Sequence, residues 1–181
     1  MNIILKMKGQ VKMQILKYFM LFLLLVSASL MGKILSKRYV YRLEELEEIK
    51  TDLNILKTKI KFTYEPLPQI FSEFGSENRG NISNIFKNAT TKMEKLNAEE
   101  AWEEAVEESA TNLNIEDKKV LKNFSKMLGK TDLEGQISQI EVTESFLETQ
   151  IRHAEEEKQK NEKLYSRLGT TIGLAIVIIL A

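Results

Sequence analysis

Three stretches of the chain carry residue types that could do chemistry. His153, the single histidine, stands just before the carboxylate run Glu155-Glu156-Glu157, a pairing that could serve proton transfer or hold a metal. One imidazole beside three carboxylates is a weak, oxygen-rich ligand set, and no second histidine follows one turn on, so a surface role is expected. Gly129-Lys130-Thr131 has the ending of a phosphate-binding loop. The full motif needs a glycine five positions before Gly129, where Phe124 stands, and a strand ahead of it. A helical pattern precedes it instead, and the tripeptide reads as a helix stop followed by a helix start. The pairs Glu99/Glu100, Glu103/Glu104 and Glu107/Glu108 put like charges in successive helical turns, at a cost of a few tenths of a kcal/mol per pair. They form a solvated face or a docking face for a basic partner surface, and they are the candidate protein-interaction residues. The chain has no Cys, which excludes thiol catalysis, thiolate zinc sites and disulfides. No catalytic, cofactor-binding or metal-binding residue is assigned, and an enzyme is not expected.

The elements that position these residues are helices. Only two prolines and eight glycines interrupt 181 residues, helix formers abound, and no run alternates apolar and polar as a half-buried strand does. The expected fold is all-α: an antiparallel bundle of about six helices with transmembrane helices at the N- and C-terminal ends. Tyr39, Leu43, Leu46, Ile49, Leu53, Leu56 and Ile60 follow nearly heptad spacing, and Glu44, Glu45, Glu47 and Glu48 beside them read as a solvated face. Pro66 and Pro68 end this helix, and Pro68 fits the first turn of a short one bearing Ile70, Phe71 and Phe74. Asn81 is expected to cap the next helix. Asn97 with Glu100 caps another around Trp102, a core anchor by its apolar neighbours Ala98, Ala105 and Val106. Asn114 or Thr111 starts a helix with Ile115, Val120, Leu121, Phe124 and Leu128, which Gly129 ends. Thr131 with Glu134 then caps a rod running to the last residue, with Leu133, Ile137, Ile140, Leu147, Ile151 and Ala154 as its apolar stripe.

Both ends are built for a bilayer. Tyr18 to Gly32 carries no charge, and snorkelling lysines extend the span to 15–35; a cleaved signal peptide is the rival reading. Residues 1–14 read as an unstructured leader, with Met13 a candidate true start. After Arg167 no charge appears, and Leu168 to Ala181 spans roughly 21 Å as helix, or about 27 Å with Leu164 and Tyr165 included, so residues 164–181 form a second span. Gly169 and Gly173 have the spacing that permits close helix contact, and Gly32 and Ser29 make a hairpin with the first span the preferred reading. Charge totals cancel, with 26 bases and 26 acids, yet the bases gather beside the spans (Lys33, Lys37, Arg38, Arg42; Lys158, Lys160, Lys163, Arg167). Between Asn97 and Asp117 stand eight acids and no base. That dipole suits anionic lipid headgroups rather than nucleic acid, and with Arg167 it places the bundle, 36–163, in the cytosol.

Lys37-Arg38-Tyr39, Pro66-Leu67-Pro68, Ala101-Trp102-Glu103-Glu104-Ala105, Leu128-Gly129-Lys130-Thr131-Asp132 with Gln136, and Lys160-Asn161-Glu162-Lys163-Leu164-Tyr165 leading to Gly169 together resemble the stage III sporulation protein AB family of endospore-forming bacteria. The resemblance runs from about Met13 to Ala181. It marks Pro66, Pro68, Trp102, Gly129, Lys130, Thr131, Asp132, Gln136, Asn161, Tyr165 and Gly169 as family motif positions. It implies a non-enzymatic component of the channel between mother cell and forespore, in the mother-cell membrane surrounding the forespore. Its soluble domain would be similar to the platform domains of type II secretion, which dock a hexameric ATPase, here stage III sporulation protein AA, among other products of the same operon. Homo-oligomers are compatible with it. The competing class is a membrane-anchored helical scaffold or sensor, which needs a long dimeric seam.

Overall fold

In the computed structural model the described residues are 2–63, 65–77, 79–128 and 130–180, leaving aside the side chains of 2–13, 15, 29, 166 and 180. They form six helices and no strand: α1 (Asn2–Phe62), α2 (Leu67–Ser76), α3 (Asn81–Lys92), α4 (Ala98–Glu108), α5 (Ile115–Ser125) and α6 (Leu133–Leu180). The chain divides into two compact units, residues 40–156 and residues 1–39 with 157–181. The leader is helical from Asn2 onward, not unstructured. Ile, Leu, Lys, Met and Gln dominate it, all of them at home in a helix.

The first unit is a helical head. From α1 it takes the seam Leu43, Leu46, Ile49, Leu53, Leu56 and Ile60, all buried as their spacing predicts. Pro66, in extended conformation, caps α2, and Pro68 lies in its first turn, where a missing N–H costs nothing. Ile70, Phe71 and Phe74 then face inward. Gly80 (φ 142°) leads into α3, a backbone conformation that side-chain-bearing residues rarely adopt. Asn81 does not cap this helix. It is the first helical residue, and its side chain turns to Glu45 on α1.

Asn97 caps α4, its side chain accepting the Glu100 N–H at 3.0 Å. Asn114 and Asp117 form a reciprocal capping box at the start of α5. Ile115, the residue after that cap, is 87% exposed rather than part of the core. α6 begins one residue later than its spacing predicts. Asp132, not Thr131, accepts the Gly135 N–H at 3.0 Å, while the Thr131 hydroxyl bonds back to the Met127 carbonyl. The expected helix stop at Gly129 lies outside the described residues.

The centre of the head is aromatic. Trp102 touches Phe71, Phe86 and Phe124 at ring separations of 5.3, 5.1 and 5.5 Å, and Phe74 meets Phe86 at 5.0 Å. The tilted and edge-on geometries suit ring quadrupoles. The indole N–H donates to the Leu121 carbonyl at 2.8 Å, so the buried polar atom is satisfied. On α6 the stripe delivers Ile140, Leu147 and Ala154 to the core and half-buries Leu133, Ile137 and Ile151. Thr143 fills the gap in the stripe, buried with its hydroxyl returned to the Gln139 carbonyl. Lys50–Glu148 and Lys57–Glu144 ion pairs, 2.8 and 2.6 Å long, set α1 against α6 in antiparallel order.

The second unit pairs the outer ends of the same two helices, also antiparallel. Among the described residues one helix is long and apolar enough to cross a membrane, within Leu16–Phe62.

Candidate functional site

Among the described residues no three His, Cys, Asp or Glu side chains converge as metal ligands, and His153 is exposed on α6. What the head does gather is buried charge, at positions that periodicity assigns to solvent. Arg42, expected beside lipid headgroups, is instead 5% exposed, its guanidinium gripping Asp117 through Nε–Oδ2 at 2.7 Å and Nη2–Oδ1 at 3.0 Å. Asp117 is fully buried and also accepts the Asn114 N–H at 2.9 Å, so one carboxylate serves an ion pair and a helix cap together. It is withdrawn from the acidic face.

Glu45 is likewise no solvated residue. Its two oxygens accept from Asn81 Nδ2 at 2.7 Å and from the backbone N–H and Nδ2 of Asn112 at 2.7 and 2.8 Å. It ties α1 to the start of α3 and to the loop before α5. Two turns on, Asp52 is fully buried and accepts from Arg79 Nη2 at 2.7 Å. Burial pushes the Asp52 carboxyl above its ordinary range, more than the Arg79 hydrogen bond lowers it. Burial, followed by the Asp52 charge, does the same to Glu48 between them.

The acidic ridge is largely spent within the chain. Lys92 bonds Glu104 at 2.6 Å and Glu108 at 3.1 Å, Lys122 bonds Glu107 at 2.5 Å, and Lys130 pairs with Glu99. Glu100 and Glu103 make no ion pair among the described residues, and Glu100 is exposed, Glu103 half-buried. Of the eight acids between Asn97 and Asp117, these two and the exposed Glu116 on α5 are the ones with no ion pair among the described residues, beside the buried Asp117 and the four paired glutamates.

The second unit is held by missing side chains. A Cβ placed on Gly32 would stand 2.5 Å from the Tyr165 carbonyl oxygen and 3.4 Å from the Gly169 Cα. One on Gly173 would meet Leu25 Cδ1 at 2.8 Å and Ala28 Cβ at 3.3 Å. The glycines let α1 and α6 approach almost backbone to backbone, the packing small residues permit in lipid. The side chain of Ser29 lies outside the described residues. Tyr39 stacks on Tyr165 at 6.2 Å, and the Arg38 guanidinium covers the Tyr39 ring at 4.8 Å. Outward from this seam the surface is apolar, with Phe19, Phe22, Leu30, Ile34, Ile172, Ile178 and Ile179 all more than half exposed. An apolar belt of this extent marks an interaction surface or a lipid-facing one.

The family motif positions fall into separate places. Pro66, Pro68 and Trp102 shape the core. Lys130, Thr131, Asp132 and Gln136 form the entry to α6, where Gln136 Nε2 donates to the Thr131 carbonyl at 3.1 Å. Asn161, Tyr165 and Gly169 lie in the second unit, with Asn161 Nδ2 bonded to the Glu157 carbonyl at 2.8 Å. Gly129 is outside the described residues. These positions shape helix ends and helix contacts; they do not meet at a cleft.

An aromatic all-helical head and an apolar helical pair closed on glycine are the marks of a helical protein with a bilayer-length anchor. A sequence model of the family described as stage III sporulation protein AB matches residues 17–181, and the chain belongs to that family. A solved structure of a stage III sporulation protein AB has the same fold, with a TM-score of 0.62 at 21% identity, over 66% of this chain and 98% of that one. No individually curated protein matches the chain by sequence.

Proposed function

We propose that this protein is a non-enzymatic membrane platform of the mother cell–forespore channel, docking the secretion-type ATPase stage III sporulation protein AA during endospore formation. The observation that carries the membrane half is the glycine-closed pair of α1 and α6 with its exposed apolar belt. The spans are residues 15–35 and 164–181, both ends lie on the outer face, and the bundle 36–163 is cytosolic in the mother-cell membrane surrounding the forespore. Tyr165 and Arg167 then sit at interface depth, where aromatic and snorkelling side chains are favoured.

The docking half rests on family membership and on charge. With Glu99, Glu104, Glu107 and Glu108 paired internally, a basic ATPase surface would meet Glu100, Glu103 and Glu116 first and could recruit the paired glutamates by competing with their lysines. Platform action is mechanical, with position or rotation passed along α1 and α6. The test is co-purification of the ATPase with the full-length protein in detergent. Retention that falls at least several-fold for Glu100→Lys with Glu103→Lys, at unchanged melting temperature, supports the reading; equal retention by the variant removes the ridge as docking face, and no retention by the unaltered protein removes the ATPase.

A further inference from the structure

Eight bases flank the two spans, and the register of α1 against α6 sorts them. Gly32 lies against Tyr165 and Gly169, and Gly173 against Leu25 and Ala28. The two helices therefore run antiparallel, with Lys33 level with Arg167 and, one turn further from the spans, Lys37 level with Lys163. Counted from Gly32 on α1, Lys33 and Lys37 fall roughly 100° and 140° round the helix. Counted from Gly169 on α6, Lys163 and Arg167 fall roughly 120° and 160° round. In an antiparallel pair equal senses of rotation lead to the same side, so all four cations stand on one flank.

That flank carries no counter-charge. Its four cations are exposed, and none is ion-paired among the described residues. Residues 1–39 and 157–181 include two acids, Glu157 and Glu162. By the same count these fall roughly 240° and 20° round, away from the cluster. Lys33 and Lys37 are one turn apart, as are Lys163 and Arg167, and like charges at that spacing repel. The other bases go elsewhere. Arg42 is buried on Asp117, Arg38 lies over the Tyr39 ring on the opposite flank, and Lys158 is half-buried near the seam. Lys160 falls on the side of α6 away from α1. Deeper in the spans the cationic flank continues as exposed Val26, Leu30 and Leu174, an apolar track below a charged one.

We infer that this flank is a binding site for an anionic phospholipid bearing two phosphates. One phosphate sits on the Lys33–Lys37 pair and the other on the Lys163–Arg167 pair, side by side in the plane of the membrane. The acyl chains lie along Val26, Leu30 and Leu174. A lipid with a single phosphate answers one helix and leaves the cations of the other repelling, whereas a two-phosphate headgroup spans both. Basic pockets between spans hold headgroups of this sort on the cytoplasmic side. Lys33 and Arg167 stand close to the span ends, within snorkelling reach of the phosphate layer. The inference rests on residues 15–35 and 164–181 being membrane spans and is independent of ATPase docking.

The test is native mass spectrometry of the full-length protein in detergent, titrated with cardiolipin or, at equal phosphate concentration, with phosphatidylglycerol. A single cardiolipin adduct is expected, at several-fold lower concentration than the phosphatidylglycerol adduct. Lys37→Gln with Lys163→Gln should weaken the cardiolipin adduct about tenfold, and Lys37→Arg with Lys163→Arg should keep it. Arg38→Gln with Lys160→Gln removes as much charge away from the flank and should leave the adduct unchanged. Equal affinity for the two lipids, no adduct, or equal weakening by both charge-removing pairs overturns the site. Flotation with neutral phosphatidylcholine vesicles separates the site from the spans. A protein that floats yet gives one of those results loses the site alone, and a protein that does not float loses the spans and the site together.

Discussion

The Arg42 guanidinium and the Asp117 carboxylate meet in two parallel hydrogen bonds, 2.7 and 3.0 Å long, with both side chains buried. The pair clips α1 to the first turn of α5, and the same carboxylate caps that turn. Breaking a buried pair by removing one partner leaves an uncompensated charge, which costs about 3–5 kcal/mol. Asp117→Ala also deletes a cap worth about 1 kcal/mol. Chemical denaturation of the full-length protein is expected to rank Asp117→Ala as the more damaging of Asp117→Ala and Arg42→Met. Replacing both together should cost less than the sum of the two, because neither charge is then stranded.

Trp102 combines a ring cluster with one hydrogen bond, and two substitutions separate these contributions. Trp102→Ala removes the whole indole from the core and should cost about 3–5 kcal/mol. Trp102→Phe keeps contact with Phe71, Phe86 and Phe124 but loses the bond to the Leu121 carbonyl, for about 1–2 kcal/mol from that bond and some further loss in volume. Equal melting temperatures for the two variants would refute the ring cluster as the larger contribution.

How much of this was legible beforehand depended on whether a residue's role lay within its own helix. The α1 seam, the cap at Asn97, a helix start at Asn114 and Trp102 as anchor follow from spacing, because each depends on neighbours within a turn or two; the reciprocal bond from Asp117 that makes Asn114 a capping box was not read there. Arg42, Glu45 and Asp52 do not. Their partners Asp117, Asn112 and Arg79 lie 75, 67 and 27 residues away, and a charged residue beside an apolar seam looks the same in sequence whether it faces water or a distant counter-ion. The acidic ridge misleads for the same reason, since the lysines that neutralise Glu99, Glu104, Glu107 and Glu108 come from α3, α5 and the turn before α6. Asn81 preceded by glycine looks like a cap, and only the reach to Glu45 shows otherwise.

Exposed ion pairs should give the head a shallow dependence on pH at both extremes. Hydrogen bonds from Lys122 and Lys50 hold the Glu107 and Glu148 carboxyls below their ordinary 4.5. A depressed carboxyl stabilises the fold above its unfolded value, and that contribution is lost as pH falls through the folded one. Lys92 and Lys59 run the other way. Bonds they donate to Glu104 and to Glu73 raise them above 10.5, so their contribution is present below that value and lost as pH climbs past the folded one. Glu107 and Glu148 are exposed and Lys59 and Lys92 half-buried, and all four pairs lie at the surface, where salt screens them. Raising ionic strength should therefore flatten both limbs of the melting-temperature profile.

The two glycine contacts of the helical pair differ in what an added methyl would strike, and that sets an order. At Gly32 the obstacle is the Tyr165 backbone carbonyl, which cannot move without shifting α6. At Gly173 it is the tip of the Leu25 side chain, which can rotate away, with Ala28 Cβ at 3.3 Å behind it. Gly32→Ala should therefore force α1 and α6 apart, costing about 1–3 kcal/mol as overpacking does, whereas Gly173→Ala should cost less. Paired spin labels in nanodiscs, one on each helix within this unit, read the separation directly. A longer distance in Gly32→Ala than in Gly173→Ala is the expected result; the reverse order, or no change in either, would show that the helices do not close on Gly32.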